Sequence, residues 1–260
     1  MESGQKKDSK GLSRREMMIG TGVLAATTAV AHFGGLVKKA DASAPQWPWP
    51  YKKLDPAKTA ELCYNEWYRV FCGCAVINSV FKQLAETVGE PYASFPSDSF
   101  VFLEGGQVGW GTICGSPAGA NITANLIIGP RIAGSPVGHQ ISADIMQWYS
   151  EANMPVFVPQ NPKIDPKAIP QTISDSPLCH ISVGKWMKAA GKPLKSAERK
   201  DRCARVAAST AYRLVELLND WADGKYTPTH DFTCSKEHGI TGQYNCTECH
   251  GDNVPTPPQG

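Results

Sequence analysis

The sequence predicts a mainly α-helical protein: a helical, cysteine-bearing domain followed by an irregular C-terminal tail. Three observations carry this. Apolar side chains recur at three- and four-residue steps through several long segments. Those segments are bounded by residues that start and stop helices. From Lys225 onward apolar residues nearly vanish, so the tail cannot order itself by burying surface.

Residues 1–42 are set apart from the fold. Ser13-Arg14-Arg15-Glu16-Met17-Met18 is followed by a weakly apolar stretch from Ile19 to Phe33, then Lys38, Lys39 and Ala40-Asp41-Ala42. Charged region, modest apolar region and small-residue cleavage site read as a twin-arginine export leader, which places the mature chain in the periplasm. The apolar run is short for a membrane span and rich in Gly, Ala and Thr; an uncleaved anchor is the alternative. The leader holds seven of the 26 Lys+Arg and four of the 24 Asp+Glu, leaving 19 against 20 in the rest. The basic balance therefore belongs to the leader, and nothing argues for nucleic acid. Residues 43–260 suffice for one sizeable core with an appendage.

The domain spans 43–224. It opens on an extended strap containing "APQWPWP". One long helix follows, capped by Asp55, with Pro56 in its first turn and Gly89 and Pro91 ending it. Cys74, Ile77, Phe81, Leu84 and Val88 form its apolar face, and Gly73 is a place for it to bend. The glycine-dense Glu104 to Asn121 reads as a loop. His139 to Glu151 reads as a helix, and residues 154–175, with five prolines, as an irregular wrapping segment. Ser176-Pro177 opens a short helix closed by Gly191 and Pro193. Ser196 to Asp223 is the clearest helix, with Cys203, Val206, Thr210, Leu214, Leu217 and Trp221 on one face and Gly224 as terminator.

The tail, 225–260, contains Cys246-Thr247-Glu248-Cys249-His250. Two cysteines separated by two residues, with histidine directly after the second, suit covalent haem c: two thioethers to the haem vinyl groups and a proximal iron ligand. Twelve residues earlier, Cys234-Ser235-Lys236-Glu237-His238 keeps the spacing of the first cysteine and the histidine, with Glu237 in place of the second cysteine. Spacing alone allows either a second haem on one thioether or a loop cysteine beside a distal ligand. His230 is the first candidate for a distal iron ligand and His139 the second; His180, Met146, Met154 and Met187 are further donors.

A C-terminal haem tail behind a cysteine-bearing helical domain, led by a twin-arginine signal, resembles the split-Soret cytochromes c of sulfate-reducing bacteria. The resemblance covers essentially the whole mature chain. It implies two bis-histidine haems per chain, the second carried by Cys234 and His238. It also implies a homodimer with its haems clustered near the interface.

Six cysteines remain: Cys63, Cys72, Cys74, Cys114, Cys179 and Cys203. On one continuous helix no two of the first three can form a disulfide. Cys63 and Cys72 are about 900° apart and Cys72 and Cys74 about 200° apart, while Cys63 and Cys74 share a face but stand roughly 16 Å apart along the axis. Cys74, Cys114, Cys179 and Cys203 come from four segments, and four converging thiolates suit an iron–sulfur cluster. Cys179 falls in a first helical turn, where the helix dipole favours thiolate. "CGCAVINSVF" with "GTICGSPAGAN" also resembles the redox proteins named for spaced C…GCAxxG…C…C cysteines, although Asn78 and Ser79 depart from that pattern's glycine. Buried free thiols and a zinc site are the alternatives.

The function expected is electron transfer rather than enzymatic catalysis, since no nucleophile–base signature or phosphate loop is present. A small reductase with an open distal haem site, or an assembly protein, are the competing classes. Twin-arginine export carries folded proteins, often with a cofactor already inserted, whereas haem c attaches after export to an accessible motif. A cluster-bearing domain with a separate haem tail satisfies both demands. Replacing Arg14 and Arg15 by Lys is expected to leave the protein in the cytoplasm without haem, as cell fractionation and haem staining would show.

Overall fold

The computed structural model describes residues 46–230, 242 and 247–253, and within them the chain is mainly helical. Its helices are α1 (Pro56–Val70), α2 (Cys72–Thr87), α3 (Gly115–Ile128), α4 (Val137–Glu151), α5 (Cys179–Ala190), α6 (Ala197–Ala222) and the single turn α7 (Thr247–His250). Short 3₁₀ segments lie at Ser97–Leu103, Arg131–Ala133 and Pro166–Ala168. Among the described residues no helix is long and apolar enough to cross a membrane.

Helix α6 is the axis of the domain. Ser196 caps it by accepting from the Arg199 N–H at 3.2 Å, and Ala204, Ala207, Ala208 and Ala211 line its buried face. These small side chains let α1, α2 and α3 approach closely. Between α1 and α6 lies a buried polar lock, in which Asp201 accepts from Tyr64, from Tyr68 at 2.7 Å and from Arg205 at 2.7 Å. Every strong polar group of that lock is partnered, so it fixes register without leaving a buried charge exposed to the core.

The helix expected to run unbroken from Pro56 to Val88 is two helices. Asp55 caps α1 as anticipated, accepting from the Ala57 and Lys58 N–H groups. The break falls at Phe71, whose φ of 58° and ψ of −165° leave helical space. A left-handed φ is costly for a non-glycine residue, and packing holds it: the Phe71 ring stands edge-on to Trp67, with centroids 5.6 Å apart. Gly73, where a bend was expected, serves another purpose. A Cβ there would lie 2.6 Å from the Gly115 carbonyl oxygen.

The stretch from Glu104 to Asn121 is likewise not loop throughout. The turns run to Trp110, and α3 begins at Gly115. Gly115 and Gly119 are helical residues that press α3 backbone onto α2: a Cβ on Gly119 would overlap the Gly73 carbonyl oxygen and lie 2.7 Å from the Gly73 Cα. The glycines are there for contact between helices, which local sequence reading cannot distinguish from loop flexibility.

The strap and the wrapping segment form as expected. Trp49 sits against Phe81, Tyr92 and Phe95, while the Trp47 Nε1–H donates to the Leu126 carbonyl at 3.1 Å. Met154 and Thr172 exchange two backbone hydrogen bonds of 2.9 Å, and Ser209 on α6 accepts from the N–H groups of Val156 and Phe157.

Gly119→Ala is expected to destabilise the protein by about 3 kcal/mol through overpacking at a backbone contact that cannot yield. Gly184→Ala, on α5 with open space around it, is expected to add about 0.5–1 kcal/mol. Denaturant unfolding of the two variants measures both.

Candidate metal centre

Four cysteines meet where α2, α3, α5 and α6 converge: Cys72, Cys114, Cys179 and Cys203. All are buried free thiols. An isolated antiparallel bridge between Ile113 and Leu178 joins two of them, since the next residue on each strand is a cysteine. The Cys114 N–H donates to the Pro177 carbonyl at 2.8 Å, and the Cys179 N–H donates to the Thr112 carbonyl at 2.7 Å. Gly106 lets the turn lie on Cys179, because a Cβ there would stand 2.8 Å from the Cys179 Cβ. The glycine crossing of α2 and α3 brings in Cys72, whose Cβ is 2.8 Å from where a Cβ on Gly115 would be.

Three of these residues mark helix beginnings. Cys72 is the first residue of α2, Cys114 is the N-cap of α3, and Cys179 is the first residue of α5. None of these helices has a side-chain cap, in contrast to α1 and α6. Helix N-termini present unsatisfied N–H groups and partial positive charge, which favour thiolate over thiol. Backbone N–H groups of Gly105 and Ser116 reach the sulfurs of Cys72 and Cys114, and the Trp67 Nε1–H donates to Cys72 Sγ at 3.4 Å.

The thiols are electrostatically coupled. The hydrogen bond from Cys179 lowers Cys114 to about 6 against the opposing effect of burial, helped by the Tyr149 hydroxyl, the Ser116 N–H and the Arg202 charge. Cys179 is correspondingly raised, because it keeps the proton that stabilises the Cys114 thiolate. Burial, then the neighbouring Cys114 and Cys203, push Cys72 up to about 12. Without metal, the Cys114–Cys179 pair thus shares one proton and titrates as a unit.

Cys74 is not part of this group. Its Sγ lies 3.3 Å from the Ser97 carbonyl oxygen and 3.9 Å from Asp98 Oδ1, on the side of α2 away from the other thiols. The break at Phe71 explains the exchange of Cys74 for Cys72: it resets the phase of α2, so Cys72, the first residue, faces the convergence point. Sequence reading took Cys74 from "CGC", and the helix phase set after the break brings in Cys72 instead. Among the described residues no three His, Cys, Asp or Glu side chains close on one point as ligands of a single ion would.

Cys72, Cys179 and Cys203 also line a surface cleft of about 700 Å³, with Trp67, Tyr68 and Phe71 among its apolar walls and Arg199 and Lys200 at its edge. His180 lines the same cleft, its Nδ1 2.8 Å from the Gly111 carbonyl oxygen.

The histidines divide by location. His139 lies exposed in the first turn of α4, far in sequence from the tail. His230 is half-buried and pinned by its backbone: buried Asp144 accepts from the His230 N–H at 2.8 Å, the Thr229 N–H at 3.1 Å and the Tyr226 hydroxyl at 2.8 Å. Sequence reading missed this clasp, since Asp144 is a lone acidic residue inside a helix. His250 ends the turn α7, exposed, with Cys249 just before it. Cys234, His238 and Cys246 lie outside the described residues.

No protein-family profile matches the chain. It is 30% identical to the split-Soret cytochrome c of Desulfovibrio desulfuricans, over 94% of this chain and 96% of that one. A solved structure of the split-Soret cytochrome c from strain ATCC 27774, reported with a novel iron centre, matches 82% of this chain and 86% of its own with a TM-score of 0.65 and 32% identity.

In reduced, metal-free protein, ultraviolet thiolate absorbance is expected to rise through a midpoint near pH 6 and to lose that step in Cys114→Ala. The folded value lies below the ordinary 9.0, so this thiolate's contribution to stability is full above pH 9.0 and is lost as pH falls through about 6. Unfolding at several pH values measures that slope.

Proposed function

Because the chain belongs to the split-Soret cytochrome c family, it is a c-type haem protein of electron transfer, and we propose that it carries two haems and an iron–sulfur centre per chain. Haem c supplies reversible one-electron chemistry, and Cys246-x-x-Cys249-His250 is the complete attachment motif for one haem. Cys234 and His238 hold the second through a single thioether. His230 is the leading distal ligand. Asp144 supports that role by fixing its backbone where the tail leaves the domain. His139 is a weaker candidate, exposed on α4.

The observation that carries the iron–sulfur reading is the convergence of Cys72, Cys114, Cys179 and Cys203 beneath three helix N-termini without side-chain caps. Thiolates spread over four segments suit a polynuclear centre, where sulfide fills the space between irons, better than a single clasped ion. The relative's novel iron centre supports the same reading. The ligand set is thus Cys72, Cys114, Cys179 and Cys203, with Cys74 outside it.

The chain acts in the periplasm as a homodimer, exported folded by the twin-arginine route with its haems attached afterwards. The cleft over Cys72, Cys179 and Cys203 brings the thiol group to the surface, as electron exchange requires. The division into leader, domain at 43–224 and haem tail at 225–260 follows from the same assignment.

Metal and sulfide analysis is expected to give more iron than haem, with acid-labile sulfide. Cys→Ser at 72, 114, 179 or 203 should each remove the excess iron and leave haem in place, whereas Cys63→Ser and Cys74→Ser should not. Iron equal to haem in the unaltered protein would end the cluster reading. Intact mass should show two covalently bound haems and the loss of one in Cys234→Ala. A single haem unaffected by that substitution would reduce His238 to a distal ligand at most. A low-spin six-coordinate spectrum would rule out a reductase with an open distal site.

A further inference from the structure

We propose that Arg202 is the buried counter-ion of the iron–sulfur centre and holds its reduction potential up. This rests on the cluster reading above, and goes beyond it by assigning the charge balance of the site to one residue outside the ligand set.

Two arginines one turn apart on α6 are treated very differently. Arg205 is fully matched: Nε donates to Asp201 at 2.7 Å and Nη2 to the Ile164 carbonyl at 2.5 Å. Arg202 is 1% exposed, and among the described residues it forms no ion pair with a carboxylate. Its Nη2 donates to Ser182 Oγ at 2.8 Å, and its buried Nε has no oxygen or nitrogen partner. Ser182 also accepts from the Tyr149 hydroxyl, at 3.0 Å. A guanidinium enclosed this way is costly unless a negative charge faces it.

The groups that face it come from four helices: Cys114 at the start of α3, Tyr149 on α4, Ser182 on α5 and Cys203 beside it on α6. None is a carboxylate. Cys203 lies within hydrogen-bond reach of the guanidinium. The charge therefore points at sulfur. An iron–sulfur centre on four thiolates carries net negative charge, and more after it accepts an electron. A fixed cation beside it stabilises the reduced state and raises the potential. Arginine suits the position because it keeps its charge when buried and is weakly hydrated.

The test is a redox titration of the non-haem iron signal in purified holoprotein by electron paramagnetic resonance, with the haem absorbance titrated alongside as an internal reference. Arg202→Gln is expected to make the centre at least tenfold harder to reduce at a given potential, about 59 mV for one electron. Arg202→Lys is expected to stay near the unaltered value, and the haem midpoints should not move in either. If the Gln variant folds and binds haem but loses the excess iron while the Lys variant keeps it, the charge is needed for assembly and the proposal stands. Unaltered potentials in both variants would overturn it. So would equal shifts, or equal loss of iron, in both, because lysine retains the charge. Absence of excess iron in the unaltered protein would instead refute the underlying cluster reading.

Discussion

The crossing of α2 over α3 at Gly73, Gly115 and Gly119 is the contact on which the rest of the site depends. Any side chain at these positions would meet backbone of the opposite helix. Backbone-to-backbone packing of this kind leaves no room for adjustment, because cores are close-packed and backbone cannot swing aside as a side chain does. Its consequence is positional: Cys72 and Cys114, at the starts of the two crossing helices, come to lie together. The bridge between Ile113 and Leu178 then adds Cys179, and α6, locked against α1 through Asp201, adds Cys203.

Electrostatics follow from that geometry. Three helices begin at one place without side-chain caps, so their first-turn N–H groups and dipoles act on the sulfurs rather than on a serine or aspartate. Burial raises Cys72, the hydrogen bond to Cys114 raises Cys179, and the Cys114 thiolate is favoured before metal binds. Arg202 adds a permanent positive charge with no carboxylate among the described residues to absorb it. A site so arranged is at rest only when it contains negative charge.

The domain and the tail solve different problems. The domain has a continuous core running from Trp49 through Phe81 and Ile127 to Leu214, and it is ordered by apolar burial. Beyond Gly224 the chain is short of apolar residues: the Tyr226 ring packs against the core, and Tyr226, Thr229 and His230 all bond to the one carboxylate of Asp144. That clasp fixes where the tail begins.

The sequence by itself determined the helical class, the cap at Asp55, the span of the last long helix from Ser196, the strap, the wrapping segment and the haem motif. Each of these is a local matter, set by side-chain period, capping chemistry or ligand spacing within a few residues. Membership of the thiol group was legible in three of four places, Cys114, Cys179 and Cys203. The fourth was not, because choosing Cys72 over Cys74 depends on the helix phase after Phe71, and that left-handed residue is held by a ring contact with Trp67 rather than by any local preference. The roles of Gly115 and Gly119 were hidden for a related reason: glycine looks the same in sequence whether it frees a loop or admits a neighbouring backbone. Only the tertiary structure decided which, since the backbone that forbids a side chain lies on other elements, Leu103 and α2 for Gly115 and α2 for Gly119.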